Sequence, residues 1–138
     1  MAITQTQTTS FKVELYQGVH NLLTDTLKIA LYTSDATLDA ATTVYTTTGE
    51  TVAAGYTAGG NTLTGVAINS LDSTAYVNFA DTSWASALTA RGALIYNASQ
   101  GNKAIAVLDF GADKTSTTTF LIAMPANAAN TALIRSSN

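Results

Sequence analysis

The sequence predicts an all-β fold, a mainly antiparallel β-sandwich or flattened barrel of about seven strands, with one N-terminal amphipathic helix. Three observations predict it. Short β-rich runs recur along most of the 138 residues, separated by clusters of Gly, Asn, Asp and Ser. No strand–helix alternation follows the first helix, which disfavours a doubly wound nucleotide-binding fold. Apolar residues at helical spacing are confined to one early stretch.

Residues 1–9 are polar and rich in Thr and Gln. They read as a flexible arm, or as a strand awaiting a partner, ahead of a single domain over 10–138. In "SFKVELYQGVHNLL", Phe11, Leu15, Val19 and Leu22 fall at helical spacing, and Tyr16 and Leu23 widen the stripe. This predicts a helix over about residues 10–23, with Thr9 or Ser10 as N-cap. Gly18 inside it would weaken it by about 1 kcal/mol relative to Ala.

The segment "DTLKIALYT" alternates Leu27, Ile29 and Leu31 with Lys28, Ala30 and Tyr32, the pattern of a half-buried strand. Residues 34–54 predict a long loop holding a short helical turn. "NTLTGVAIN" and "STAYVNFAD" follow as strands joined at "SLD". "TARGALIYN" and "KAIAVLDFG" each carry an unbroken apolar run, as suits central strands covered on both faces. "NASQGN" connects them. "TTTFLIAMP" alternates Phe120, Ile122 and Met124 and stops at Pro125, the only proline, and "TALIRS" is a short closing strand.

"GYTAGGNTLTG" puts Gly55, Gly59, Gly60 and Gly65 into eleven positions. A phosphate-cradling loop would need a Lys beside a Ser or Thr and a helix beginning at the loop. Neither is here, and the segment runs into a strand. Gly55, Gly59 and Gly60 are therefore read as positive-φ backbone in a tight turn, and Gly65 as a bulge or close backbone approach.

Composition narrows the function. Charged residues make up 11 % of the chain, against about 25 % in typical soluble domains. Thr and Ser supply about a quarter of the sequence. Such a neutral hydroxyl exterior is easily desolvated and suits a protein covered by copies of itself or by a partner. The net charge is −3, and Lys12, Lys28, Arg91, Lys103, Lys114 and Arg135 are scattered, so no nucleic-acid partner is expected. The chain has no cysteine, which excludes disulfides and thiolate metal sites. The opening "MAITQTQTTSFK" has no apolar run, so no secretory signal is expected. No stretch of the chain approaches the roughly 20 apolar residues that span a bilayer, so no membrane partner is expected.

The chemistry-bearing residues are few. His20 is the single histidine. With no G-x-S-x-G turn in the sequence, it is read as a charge near a helix C-terminus, a role worth about 0.3–1 kcal/mol. Asp81 and Asp109 each end an apolar strand and either could pair with Arg91, pinning strand ends. Asp35 and Asp39 offer too few oxygens for calcium. No catalytic residue, metal site or cofactor is predicted. Trp84 reads as a core or interface aromatic, and in a carbohydrate-binding module it would form a glycan platform with nearby tyrosines.

The ordered set "GYTAGG", "VNFADTSW", "TARGALIYN" and "AVLDFGADKTS", after the opening "SFKVELYQGVHNLLTDTLKIALYTS", resembles small virion structural proteins of tailed bacteriophages. The resemblance covers about residues 10–135 and is loosest over the Thr-rich stretch 42–51. It implies a non-enzymatic particle component, assembled in the host cytoplasm and located in the virion. Its partners would be the major capsid protein or other virion proteins, and it would form a homo-oligomer such as a trimer. A capsid decoration (cement) protein is the leading expectation. A tail, collar, baseplate or fibre-base adaptor is the alternative, and a host-glycan-binding module a third. Residues 1–9 and the tail "RSSN" are candidate arms toward neighbours.

Overall fold

The computed structural model describes residues 2–136. The fold is mostly β, with three antiparallel sheets and one α-helix. Its strands are β1 (Thr6–Gln7), β2 (Leu27–Tyr32), β3 (Asn61–Thr62), β4 (Ala67–Leu71), β5 (Thr74–Asn78), β6 (Thr82–Trp84), β7 (Thr89–Asn97), β8 (Lys103–Thr115), β9 (Phe120–Ile122) and β10 (Ile134–Ser136). The helix, α1, is Thr9–Tyr16. The principal sheet has the order β1-β8-β7-β2-β3; the others are β10-β5-β4 and β6-β9.

The two unbroken apolar runs became β7 and β8, and β7 lies at the centre of the five-stranded sheet. One face of that sheet presents Leu27, Ile29, Leu31, Ala93 and Ile95 to a core completed by Val77, Trp84, Phe120 and Ile134 from the smaller sheets and by Phe11 of α1. The opposite face presents Ala30, Tyr32, Leu94, Tyr96 and Val107 to Ile3, Ala36 and Leu38. Apolar side chains on both faces need cover on both faces, and the chain supplies it with sheets on one side and the N-terminal segment and 33–50 loop on the other. For the same reason β2 is not half-buried. Ala30 and Tyr32 are both fully covered.

Residues 2–9 are not a free arm. Ile3 bridges Leu38, Thr6 and Gln7 pair with Val107 and Ala106 of β8, and Thr8 is fully buried. The partner this segment awaited is its own chain. Of the "RSSN" tail, Arg135 and Ser136 close β10; Ser137 and Asn138 lie outside the described residues.

The helix is shorter than its apolar spacing predicts. Its N-cap is Thr8, one residue before the expected positions, with Oγ1 accepting the Phe11 N–H at 3.1 Å. It ends at Tyr16 because Gly18 takes φ 71° just past the C-cap. The Val19 N–H then donates to the Glu14 carbonyl and the Gly18 N–H to that of Leu15, the paired bonds of a Schellman motif. Gly18 thus terminates the helix instead of weakening its middle. As a result Leu15, Tyr16 and Leu23, assigned to the buried stripe, are exposed. The 34–54 loop holds no helical turn and is tied down by bridges from Glu50 to Tyr32 and from Val44 to Lys103.

Candidate interaction surface

The glycine-rich segment is a clamped turn. Gly59, Gly60 and Gly65 adopt φ 99°, 77° and 62°. Gly55 does not take positive φ. It is a glycine because the Ser86 side chain lies against it, where an added Cβ would meet the Ser86 Cβ at 2.6 Å. At Gly60 an added Cβ would sit 1.8 Å from the Ile29 carbonyl oxygen, so the turn rests directly on β2.

Glu50, which the sequence reading passed over, holds this turn in place. Its carboxylate is buried and accepts from Tyr45 Oη at 2.6 Å, Tyr56 Oη at 2.5 Å and the Gly59 N–H at 2.8 Å. Tyr56 Oη also accepts from the Leu31 N–H, and Tyr96 Oη donates to the Gly59 carbonyl. Burial first, and the Glu50 hydrogen bond second, drive the Tyr45 and Tyr56 phenols far above their ordinary pKa. Burial and the Glu50 charge push Tyr96 up to about 12. Three donors around one carboxylate meet the requirement for holding a buried charge.

Arg91 and Asp109 do pair, Nε to Oδ1 at 3.1 Å, but both side chains are about a third exposed. The Gly111 N–H, and then Arg91, hold the Asp109 carboxyl below its usual range. Asp81 does not join them; its Oδ1 accepts the Met124 N–H at 2.6 Å. Trp84 is 4 % exposed, packed between Tyr56 and Phe120, and its buried Nε1 has no hydrogen-bond partner. That burial removes the platform on which a glycan site would have been built.

His20 lies beyond the helix, not within it. Its Nε2 meets Glu14 Oε1 at 2.8 Å, and its Nδ1 accepts from Asn97 Nδ2 at 3.0 Å. Asn97 Nδ2 also donates to Asp25 Oδ2, and this bond is the first cause of that carboxyl's lowered pKa. Both ring nitrogens are occupied by structural partners that tie α1 to the end of β7.

Three exposed apolar side chains, Leu15, Tyr16 and Ile68, meet around one groove. A groove of about 920 Å³ runs between α1 with its following turn and the sheet β10-β5-β4. Its floor is the cross-strand row Ile68, Val77 and Ile134; Leu15 and Tyr16 stand on the opposite wall. Tyr16 is 94 % exposed, an unusual position for a large aromatic. Lys12 and Arg135 line the groove and no Asp or Glu does, in a chain of net charge −3. The groove is therefore suited to an apolar surface carrying carboxylates.

Comparison of the chain with known protein families, curated proteins and solved structures finds no match.

Proposed function

We propose that this chain is a non-enzymatic structural protein of a tailed-bacteriophage virion that decorates and cements the assembled head, docking through the groove between α1 and the β10-β5-β4 sheet. The observation that carries the reading is the gathering of Leu15, Tyr16 and Ile68, all at least 40 % exposed, around a groove lined by cations and no carboxylate. Away from the groove the exterior is rich in Thr and Ser, with Val44, Val52 and Leu121 exposed singly. The sequence resemblance supplies the particle as the partner.

Cementing needs no chemistry at the site. A protein that binds the assembled shell but not its separated subunits stabilises the shell by RT ln(1 + [L]/Kd) per site, about 2.7 kcal/mol at a hundredfold excess over Kd. Repeated over many sites, that term resists disassembly.

The test is to add purified protein to heads that lack it and to measure occupancy and thermal disruption. Binding that raises the disruption temperature, and is weakened by Tyr16→Ser, supports the reading. Protein that ignores heads and binds tails moves it to the tail or collar. Binding to neither sinks it.

A further inference from the structure

We propose that β4 pairs edge to edge with β4 of a second copy of this chain, antiparallel about Asn69, joining two three-stranded sheets into one. The inference concerns the isolated protein and does not rest on the virion reading.

The edges of this fold are not alike. β1 and β3 are two residues long. The outer side of β10 is covered by the Gln7 amide, which donates to the Arg135 carbonyl, and β6 is covered by Asn61, which donates to that of Ser83. The far end of β8 carries Gly111 at φ 82° followed by Asp113 and Lys114, a kink and charges of the kind that blunt an edge. β4, "AINSL", has none of these devices. It is five residues long, uncharged, free of Gly and Pro, and exposed from Ile68 to Leu71. Among the described residues, β5 is its only strand neighbour.

The occupant follows from the strand's own sequence. The turn Leu71–Thr74, with Asp72 at φ 53°, closes the hairpin to β5. Its closing bond directs the Leu71 backbone inward, and alternation then leaves Ile68 and Ser70 with outward N–H and C=O groups. Two such edges related by a two-fold axis offer each other matching donors and acceptors. With Asn69 on the axis, Ile68 faces Ser70 of the second copy and Leu71 faces Ala67. The two Asn69 amides can bond reciprocally. No like charges oppose, and the exposed Ile68 and Leu71 gain cover. A five-residue edge is a small contact beside the roughly 1,200–2,000 Å² of a stable interface, so the pairing is weak.

The absence of cysteine permits a direct test. Asn69→Cys places two thiols across a non-hydrogen-bonded pair, where Cα atoms are about 4.5 Å apart and a disulfide can close. Asp72→Cys places them about 20 Å apart. Under mild oxidation at about 50 μM, Asn69→Cys should form a disulfide dimer at least tenfold faster than Asp72→Cys. In sedimentation equilibrium, the natural chain should move from monomer toward dimer between about 5 μM and 500 μM. Ser70→Lys and Asn69→Lys should weaken that association at least tenfold with the melting temperature unchanged. A chain that stays monomeric at 500 μM, cross-linking at equal rates, or association indifferent to both lysines would overturn the proposal.

Discussion

Two regions of the molecule contrast sharply. Around the glycine-rich turn, Glu50, Tyr45, Tyr56, Tyr96 and Gly59 form a closed set in which the buried carboxylate has three donors. Around α1 and β4, large apolar side chains stand in solvent and a strand edge lies open. A low-charge protein has few ways to fix a loop, and this one concentrates a scarce carboxylate where the backbone must bend against β2. The α1 and β4 region keeps the Glu14–His20–Asn97 tie at the base of the helix but leaves its apolar side chains and strand edge open. The first region specifies the fold, and the second is available for contact.

The contrast can be broken most forcefully at Glu50. Glu50→Ala strands the Tyr56 phenol and the Gly59 N–H in the interior, frees the half-buried Tyr45 phenol, and should cost about 3–5 kcal/mol, read as a lower urea midpoint. A loss under about 1 kcal/mol would show that the turn holds without its carboxylate. Next, Gly60→Ala should cost about 3 kcal/mol or more, because it adds a backbone clash to a positive φ. Gly18→Ala, also at positive φ but with nothing within 4 Å, should cost about 1 kcal/mol. Equal losses would erase the distinction between the two regions.

Alkaline titration probes the same cluster. The Tyr45, Tyr56 and Tyr96 phenols are raised from 10.0 in the folded protein. The folded state therefore holds their protons more tightly than the unfolded one. Stability is fully present below pH 10 and should fall as pH rises above it; urea midpoints between pH 9 and 11.5 test this.

Smaller effects follow at the exposed positions. Arg91→Met should cost no more than about 1 kcal/mol, since both partners are partly solvated. Asp109 is depressed below 3.8, so that increment should be present at neutral pH and fade as acid protonates the carboxyl. Tyr16→Ser should change stability by less than about 0.5 kcal/mol while weakening partner binding. A large unfolding effect there would mean that Tyr16 belongs to the fold.

Much of this architecture was legible in the chain. β7 and β8 announced themselves by apolar runs without polar interruption, and Gly59 and Gly60 by a turn that no phosphate motif explains. The helix end was misread because a 3.6-residue stripe continued past Gly18, yet glycine after a polar residue is equally a stop signal. Glu50 sits alone in a Thr-rich stretch with no periodicity, so its role emerges only when folding brings Tyr45, Tyr56 and Gly59 around it. The arm over residues 1–9 was polar enough to look free; Ile3, the one large apolar residue among residues 2–9, packs beside Leu38, and Thr8 caps α1. Asp81 and Asp109 looked equivalent as strand ends, and only the register of β7 on β8 places Asp109 opposite Gly92, beside Arg91.

The most direct test of the division between a locked side and a contact side is amide hydrogen exchange on the free protein and on the protein bound to its particle. Binding should add protection over residues 12–22 and 67–71 and leave 55–60 as slow as before. New protection confined to the glycine-rich turn, with α1 and β4 unchanged, would contradict the account.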